Sequence, residues 1–169
     1  WVDRSGKEIV RFPKAPRFMM NASLSPDERR IAFFLASDIW LSDLQSGDNR
    51  FTFDPAVDFF FFFSPDGHHI AFCSNRGGAF DLSQKNVSGA AGVELLLAAP
   101  EQKAPTDWSS DGRYLLYRSL DPKTSFDIWA LSMSDRKHFP VVKTEHEERD
   151  AQFSPDGKRF ASAGDDDTV

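Results

Sequence analysis

Ser64-Pro65-Asp66-Gly67 and Ser154-Pro155-Asp156-Gly157 are the same four residues, and Ser25-Pro26-Asp27-Glu28 and Ser109-Ser110-Asp111-Gly112 each depart from them at one position. Successive serines stand 39, 45 and 45 residues apart. A period of about 40 to 45 residues belongs to repeat architectures whose unit is a small sheet of four strands. Within the phrase, proline holds φ near about −65°, aspartate bonds nearby backbone, and glycine takes the positive φ that lets the chain reverse. Each copy is therefore predicted to be a hairpin turn. Glu28 in place of glycine predicts a strained first turn, and Ser110 in place of proline predicts a less rigid third one.

Apolar residues flank each turn at matched offsets. Leu24, Phe63, Trp108 and Phe153 come just before the serine, and Ile31, Ile70, Leu115 and Phe160 six residues beyond it. A third strand is predicted at Asp38-Ile39-Trp40-Leu41, Phe80-Asp81-Leu82 and Phe126-Asp127-Ile128-Trp129, with an acid ahead of the apolar residue each time. Turn signals follow, and then apolar runs at Phe51 to Phe53, Glu94 to Leu97 and Phe139 to Val142 supply a fourth strand. The expected fold is all-β: a propeller of four-stranded antiparallel blades, four to the chain. The units run 16–53, 58–97 and 104–142. The fourth is composite, with residues 149–169 supplying two strands and residues 1–10 the other two, so that the ring closes and its edges are hidden. Spacing leaves open a half ring that pairs with a second copy into eight blades, and a slice of a longer propeller.

Composition narrows the function classes. Seventeen Phe suit pleated surfaces. A net charge of −6 repels phosphate backbones, so nucleic acid is not an expected partner. No apolar run approaches the length of a membrane-spanning helix, so direct insertion into a membrane is not expected. The single Cys73, inside Ile70-Ala71-Phe72-Cys73, reads as a packed core thiol. The chain starts at Trp1 without Met and stops at Val169 in mid-pattern, which predicts a piece of something longer.

The Ser-Pro-Asp-Gly turns, the following Ile70-Ala71-Phe72, Asn75-Arg76-Gly77-Gly78 and the Asp-Ile-Trp strands resemble WD-repeat-like propellers of the TolB type, across nearly the whole chain. The stretches Arg50 to Asp58 and Asp107 to Ser119 are similar to the sensor propellers of bacterial membrane-anchored serine/threonine kinases. That resemblance implies a non-catalytic scaffold for protein interaction or ligand sensing, lying on the periplasmic side of the membrane. The run Phe59 to Phe63 departs from the family's alternating first strand. It reads either as buried packing or as an exposed docking strip, packing being the expectation.

Candidate sites follow from chemistry. Asp58, Asp107 and Asp150 stand near the starts of first strands, and with Thr106 and Arg149 they are expected to gather at one mouth of the central channel. There they would receive a protein, a peptide end, a small ligand or a cation. The competing expectation is that each acid bonds a backbone amide. Asp27, Asp66, Asp111 and Asp156 are assigned to the turns. Adjacent His68 and His69 point to opposite faces of an extended strand and do not chelate together. His138 and His146 read as isolated loop residues, and Asp165, Asp166 and Asp167 as an acidic end without a calcium-loop spacing. No nucleophile elbow, zinc-binding helix or phosphate-cradling loop is present, so no catalytic residue, cofactor or metal ligand is assigned. Two alternatives remain: a propeller-borne lyase or hydrolase using a channel carboxylate with a metal, and an engineered or fragment propeller whose one activity is self-assembly.

Overall fold

A computed structural model describes residues 3–8 and 20–164, and every regular element among them is a strand. Blade one is β1 (Met20–Leu24), β2 (Arg30–Leu35), β3 (Asp38–Asp43) and β4 (Gly47–Arg50). Blade two is β5 (Asp58–Phe63), β6 (His69–Ser74), β7 (Asp81–Asn86) and β8 (Glu94–Leu97), and blade three is β9 (Lys103–Trp108), β10 (Tyr114–Asp121), β11 (Ser125–Ser132) and β12 (His138–Val142). Each is an antiparallel sheet in sequence order. The fourth unit contributes the hairpin β13 (Glu148–Phe153) and β14 (Phe160–Gly164). Of residues 1–10, expected to complete it, only 3–8 are described, and none of them belongs to a strand of this sheet; Asp165 to Asp167 lie outside the described residues. The first strands β1, β5, β9 and β13 pack on one another in series. This is an all-β propeller whose first strands line the axis.

Four copies of one hydrogen-bond pattern hold the turns. The serine hydroxyl donates to the aspartate carboxylate at 2.5–2.8 Å and accepts the amide five residues on at 2.9–3.0 Å. The same carboxylate accepts the amide two residues beyond itself, at Arg29, His68, Arg113 and Lys158. The fourth residue donates its amide to the serine carbonyl at 2.8 Å in every copy. This leaves φ at +71°, +74° and +67° for Gly67, Gly112 and Gly157, and at +58° for Glu28, the strain expected of the first turn. Successive turns also touch. A Cβ placed on Gly67 would meet Pro26, one on Gly112 would meet Pro65, and one on Gly157 would meet Ser110 at 3.2 Å. One motif thus closes each inner hairpin and spaces it from the next.

Strand alternation then builds a core at every blade boundary. Ile70 and Phe72 face blade one, where they join Ala32, Ile39, Leu41 and Phe51, whereas Ala71 between them faces blade three. Leu115 and Tyr117 face blade two with Leu82 and Leu131, and Leu116 turns the other way to meet Ile128 and Ala151. Burying each large apolar side chain stabilises the ring by about 1.5–3 kcal/mol. Phe61 and Phe63 are buried in the first boundary, and Phe59, Phe60 and Phe62 are half-buried, so the phenylalanine run packs as expected rather than forming an open strip. Cys73 is fully buried and donates to the Phe59 carbonyl, and burial pushes its thiol pKa up to about 12.

One strand differs from expectation. The fourth strand of blade one is Gly47–Arg50, ahead of the apolar run Phe51 to Phe53. Phe51 and Thr52 both donate their amides to the Ile39 carbonyl, and Thr52 Oγ1 accepts the Ile39 amide, so the chain leaves the ladder to bury Phe51 at 4% exposure. Burial of the ring outweighs continuation of the edge strand.

All four turn aspartates are held below their ordinary value. The serine hydroxyl is the main cause for Asp27, Asp66 and Asp156, and the Arg113 amide for Asp111, which falls to about 2. A carboxylate depressed in the folded chain stabilises it at neutral pH, and that contribution is lost as pH falls from near the ordinary carboxylate value through the folded one. Urea midpoints measured from pH 7 downward are expected to stay level to about pH 4 and then drop toward pH 2, with Asp111→Asn showing a shallower drop.

Candidate functional site: a belt of bulges around the axis

Each first strand breaks its register once. The breaks fall between Met20 and Ala22 in β1, Phe59 and Phe62 in β5, Pro105 and Asp107 in β9, and Glu148 and Asp150 in β13. Counted back from the turn serines, the displaced residues are Asn21 and Phe60 at four, Thr106 at three and Arg149 at five, a belt two residues deep. A bulge adds an unpaired residue and re-aims its side chain, and it lets an inner strand curve round an axis. Asn21 and Phe60 carry the extra residue at φ +49° and +46°. Asparagine tolerates that region; phenylalanine does so under strain. Thr106 and Arg149 are the residues left out of the ladder in the other two strands.

This geometry brings some of the expected mouth residues together and separates others. Thr106, Arg149 and Asp150 lie at the register breaks of the adjacent strands β9 and β13. Thr106 is buried and its hydroxyl has no partner, whereas Arg149 and Asp150 are exposed, Arg149 reaching Glu147 at 2.9 Å. Asp58 is the first residue of β5, six before its serine, and Asp107 is two before its own. At about 3.3 Å per residue they differ in height by about 13 Å.

Those two acids serve the scaffold. Asp58, 0% exposed, receives both its contacts from Arg76 Nη2 at 3.2 Å, while Arg76 also reaches Asp54 at 2.8 Å and Ser74 at 2.8 Å. Asp107 accepts the Phe153 amide at 2.7 Å and so ties blade three to the fourth unit.

Two further groups of blade three were not legible from the sequence. Arg118 of β10 lies between the rings of Phe60 and Phe126, 4.6 and 4.9 Å from their centroids, and its buried Nε has no partner. Nothing in the local pattern marks it, because it is presented to Phe60 by a bulge in another blade. His138, expected in a loop, is the first residue of β12 and bonds the Tyr117 hydroxyl at 3.1 Å. Among the described residues no three His, Cys, Asp or Glu side chains gather closely enough to hold a metal ion.

No protein-family model matches the chain, and no curated protein is similar to it. Solved structures are. A protein designated TolB from Agrobacterium tumefaciens aligns at 19% identity with a TM-score of 0.74, over 85% of this chain and 53% of that one. TolB from Acinetobacter baumannii aligns at 19% identity with a TM-score of 0.76, over 99% of this chain and 43% of that one. The fold is that of a TolB-type β-propeller. The chain spans about half the length of these two proteins. At this identity the likeness fixes the architecture and leaves the site to be argued from its own residues.

The Arg76 cluster separates scaffold from site. Arg76→Ala leaves Asp58 charged and buried without a counter-ion, and is expected to lower unfolding free energy in urea by about 3–5 kcal/mol. Asp54→Ala, at the exposed end of the same cluster, is expected to cost under about 1 kcal/mol.

Proposed function

We propose that this chain is a non-catalytic propeller scaffold that binds a protein, a peptide end or a small ligand at the belt of bulges around its axis. The observation that carries the reading is the Thr106 hydroxyl, buried without a partner on β9, with the exposed Arg149 and Asp150 on β13, the strand packed next to it. A buried hydroxyl lacking a bond costs about 1–3 kcal/mol, which an incoming donor or acceptor removes. Asp150 and the exposed Arg149–Glu147 pair put both signs of charge on β13, which a zwitterionic chain end would meet. The acids that an acid-base mechanism would call on, Asp58 and Asp107, are spent on Arg76 and on the Phe153 amide. The TolB-like architecture supports a scaffold, and the resemblance to kinase sensor propellers extends the proposal to a sensing role outside the cytoplasm.

A second copy is a further partner in this proposal. β14 is exposed along its whole length, and β13 packs on β9 without comparable packing on β1 among the described residues. Two such units would join into one larger ring. Light scattering is expected to give twice the chain mass at micromolar concentration; a monomer at all concentrations would remove this arm.

The mouth is tested by passing a mixed library of short peptides over the immobilised chain. The wild-type chain is expected to retain a discrete, chemically intact set, which Thr106→Val with Asp150→Asn loses and the turn variant Asp27→Asn keeps. Retention unchanged in the mouth variants would overturn the site. Cleaved peptides whose appearance depends on Asp107 or Asp150 would overturn the non-catalytic reading.

A further inference from the structure

Every complete blade carries an aspartate at the start of its third strand, and the three are served differently. Asp38 uses both oxygens: Arg50 Nη2 lies 2.7 Å from one and Thr52 Oγ1 3.4 Å from the other. Asp81 receives Lys103 Nζ at 3.1 Å and the Ala99 amide at 3.3 Å, both on Oδ1, and its Oδ2 is not among the buried oxygens left without a partner. Asp127 is fully buried and its donors also meet a single oxygen. Thr124 Oγ1 lies 3.0 Å and Lys143 Nζ 3.5 Å from Oδ2, and the buried Oδ1 has no partner. Among the described residues it is the one buried carboxylate oxygen in that condition.

Asp127 lines a cavity of about 230 Å³ on the face of blade three that looks toward blade two, under the connection from β8 to β9. The β10–β11 register sets Tyr117 opposite Trp129 and Ser119 opposite Asp127, so two aromatic rings and the carboxylate share one face. Trp129 stands 5.6 Å from the His138 ring, which in turn bonds the Tyr117 hydroxyl, and this fixes the aromatic wall. Leu97 and Leu120 give the cavity an apolar side, and Glu101 and Asp121 are acids in its wall, Asp121 paired with Lys143 at 2.7 Å. Lys143 reaches only Oδ2 of Asp127, at 3.5 Å, and the one lysine among the walls, Lys103, does not serve Oδ1. Its three donors go to Asp81, the Ala99 carbonyl and the Glu101 carbonyl at 3.1, 2.8 and 2.5 Å.

We infer that this cavity binds an alkylammonium group on a short apolar stem, with the ammonium donating to Asp127 Oδ1 and lying against Trp129 and Tyr117, and the stem against Leu97 and Leu120. A charged donor makes the stronger class of hydrogen bond to a carboxylate, and tryptophan is the best aromatic partner for a cation. A neutral alcohol of the same shape satisfies the oxygen but not the rings. The site is separate from the axial belt and stands whether or not that belt binds anything. A free aliphatic amine and the side chain of a peptide lysine present the same chemistry.

Calorimetric titration of the whole chain tests this with four probes: 1-pentylamine, 1-pentanol, cadaverine, and Nα-acetyl-lysine methylamide. Pentylamine is expected to bind at least about tenfold more tightly than pentanol, a difference of about 1.4 kcal/mol. Preference for cadaverine over the lysine derivative would assign the site to free amines, and the reverse to peptide lysines. Asp127→Asn, which keeps the shape and the Thr124 contact, is expected to lower pentylamine affinity about tenfold, and Trp129→Leu several-fold. Equal binding of amine and alcohol, no heat with any probe, or unchanged affinity in a folded Asp127→Asn would each overturn the proposal. The amine-alcohol comparison needs no variant, so it decides even if the substitutions prevent folding.

Discussion

A serine hydroxyl that donates to one side chain and accepts one amide is the constraint on which this propeller rests. A hairpin of four residues strands several backbone groups, and water cannot reach them all once neighbouring blades close in. Ser25, Ser64 and Ser109 are exposed by no more than 3%, and Ser154 is half-buried. Each of the four ties the amide that enters the second strand to the carboxylate that holds the turn. With about 1 kcal/mol net for such a bond, no single turn dominates the stability. Their geometric effect is larger. Because turn stands on turn, from Pro26 to Gly67, Pro65 to Gly112 and Ser110 to Gly157, the spacing of the blades is set at the same points that reverse the chain.

Local chemistry explains why much of the fold could be read from the sequence. Turn position, hairpin pairing and the acid of the third strand all depend on residues within a few places of one another. The bulges do not. They answer the curvature of four first strands packed round one axis, and nothing in the run Phe59 to Phe63 says that Phe60 will take φ +46°. Asn21 alone offered a clue, since asparagine enters that region readily. The heights of the expected mouth acids were hidden for the same reason. A strand's start can be counted from the serine, but Asp58, Asp150 and Asp107 stand six, four and two residues before it, and only the paired register turns that difference into distance. β4 was displaced because a buried Phe51 and its bonds to Ile39 draw the chain off the edge.

Long-range polar contacts, within a blade and between blades, were the least legible, because their partners are far apart in sequence. Arg76 with Asp54 and Asp58, Lys103 with Asp81, and Asp107 with the Phe153 amide join residues 18 to 46 places apart. In a chain of net charge −6 such pairs decide which acids are structural. An acid with a buried counter-ion or amide is committed to the fold; one without is open to a ligand.

The incomplete service of Asp127 follows from one exchange of charge between repeats. Asp58, Lys103 and Glu148 occupy the same place, the first residue of a first strand, six before the turn serine, and all are buried; Asp58 is answered by Arg76, and its neighbour Asp38 by Arg50. At the boundary of blades two and three that place supplies a cation to Asp81. At the next boundary it supplies a carboxylate, which turns to Thr144 at 3.4 Å and is given room by Gly164 opposite, where a Cβ would stand 2.8 Å from Glu148 Oε2. Asp127 is thereby left to share Lys143 with Asp121, which holds that lysine more closely, at 2.7 Å against 3.5 Å. A repeat fold tolerates the change because the apolar boundary of Leu116, Ile128 and Ala151 holds the blades together without it. The carboxylate so released stands beside two aromatic rings that the fold has already fixed. In this propeller, binding chemistry collects where one copy of the repeat stops supplying what its neighbour was built to receive.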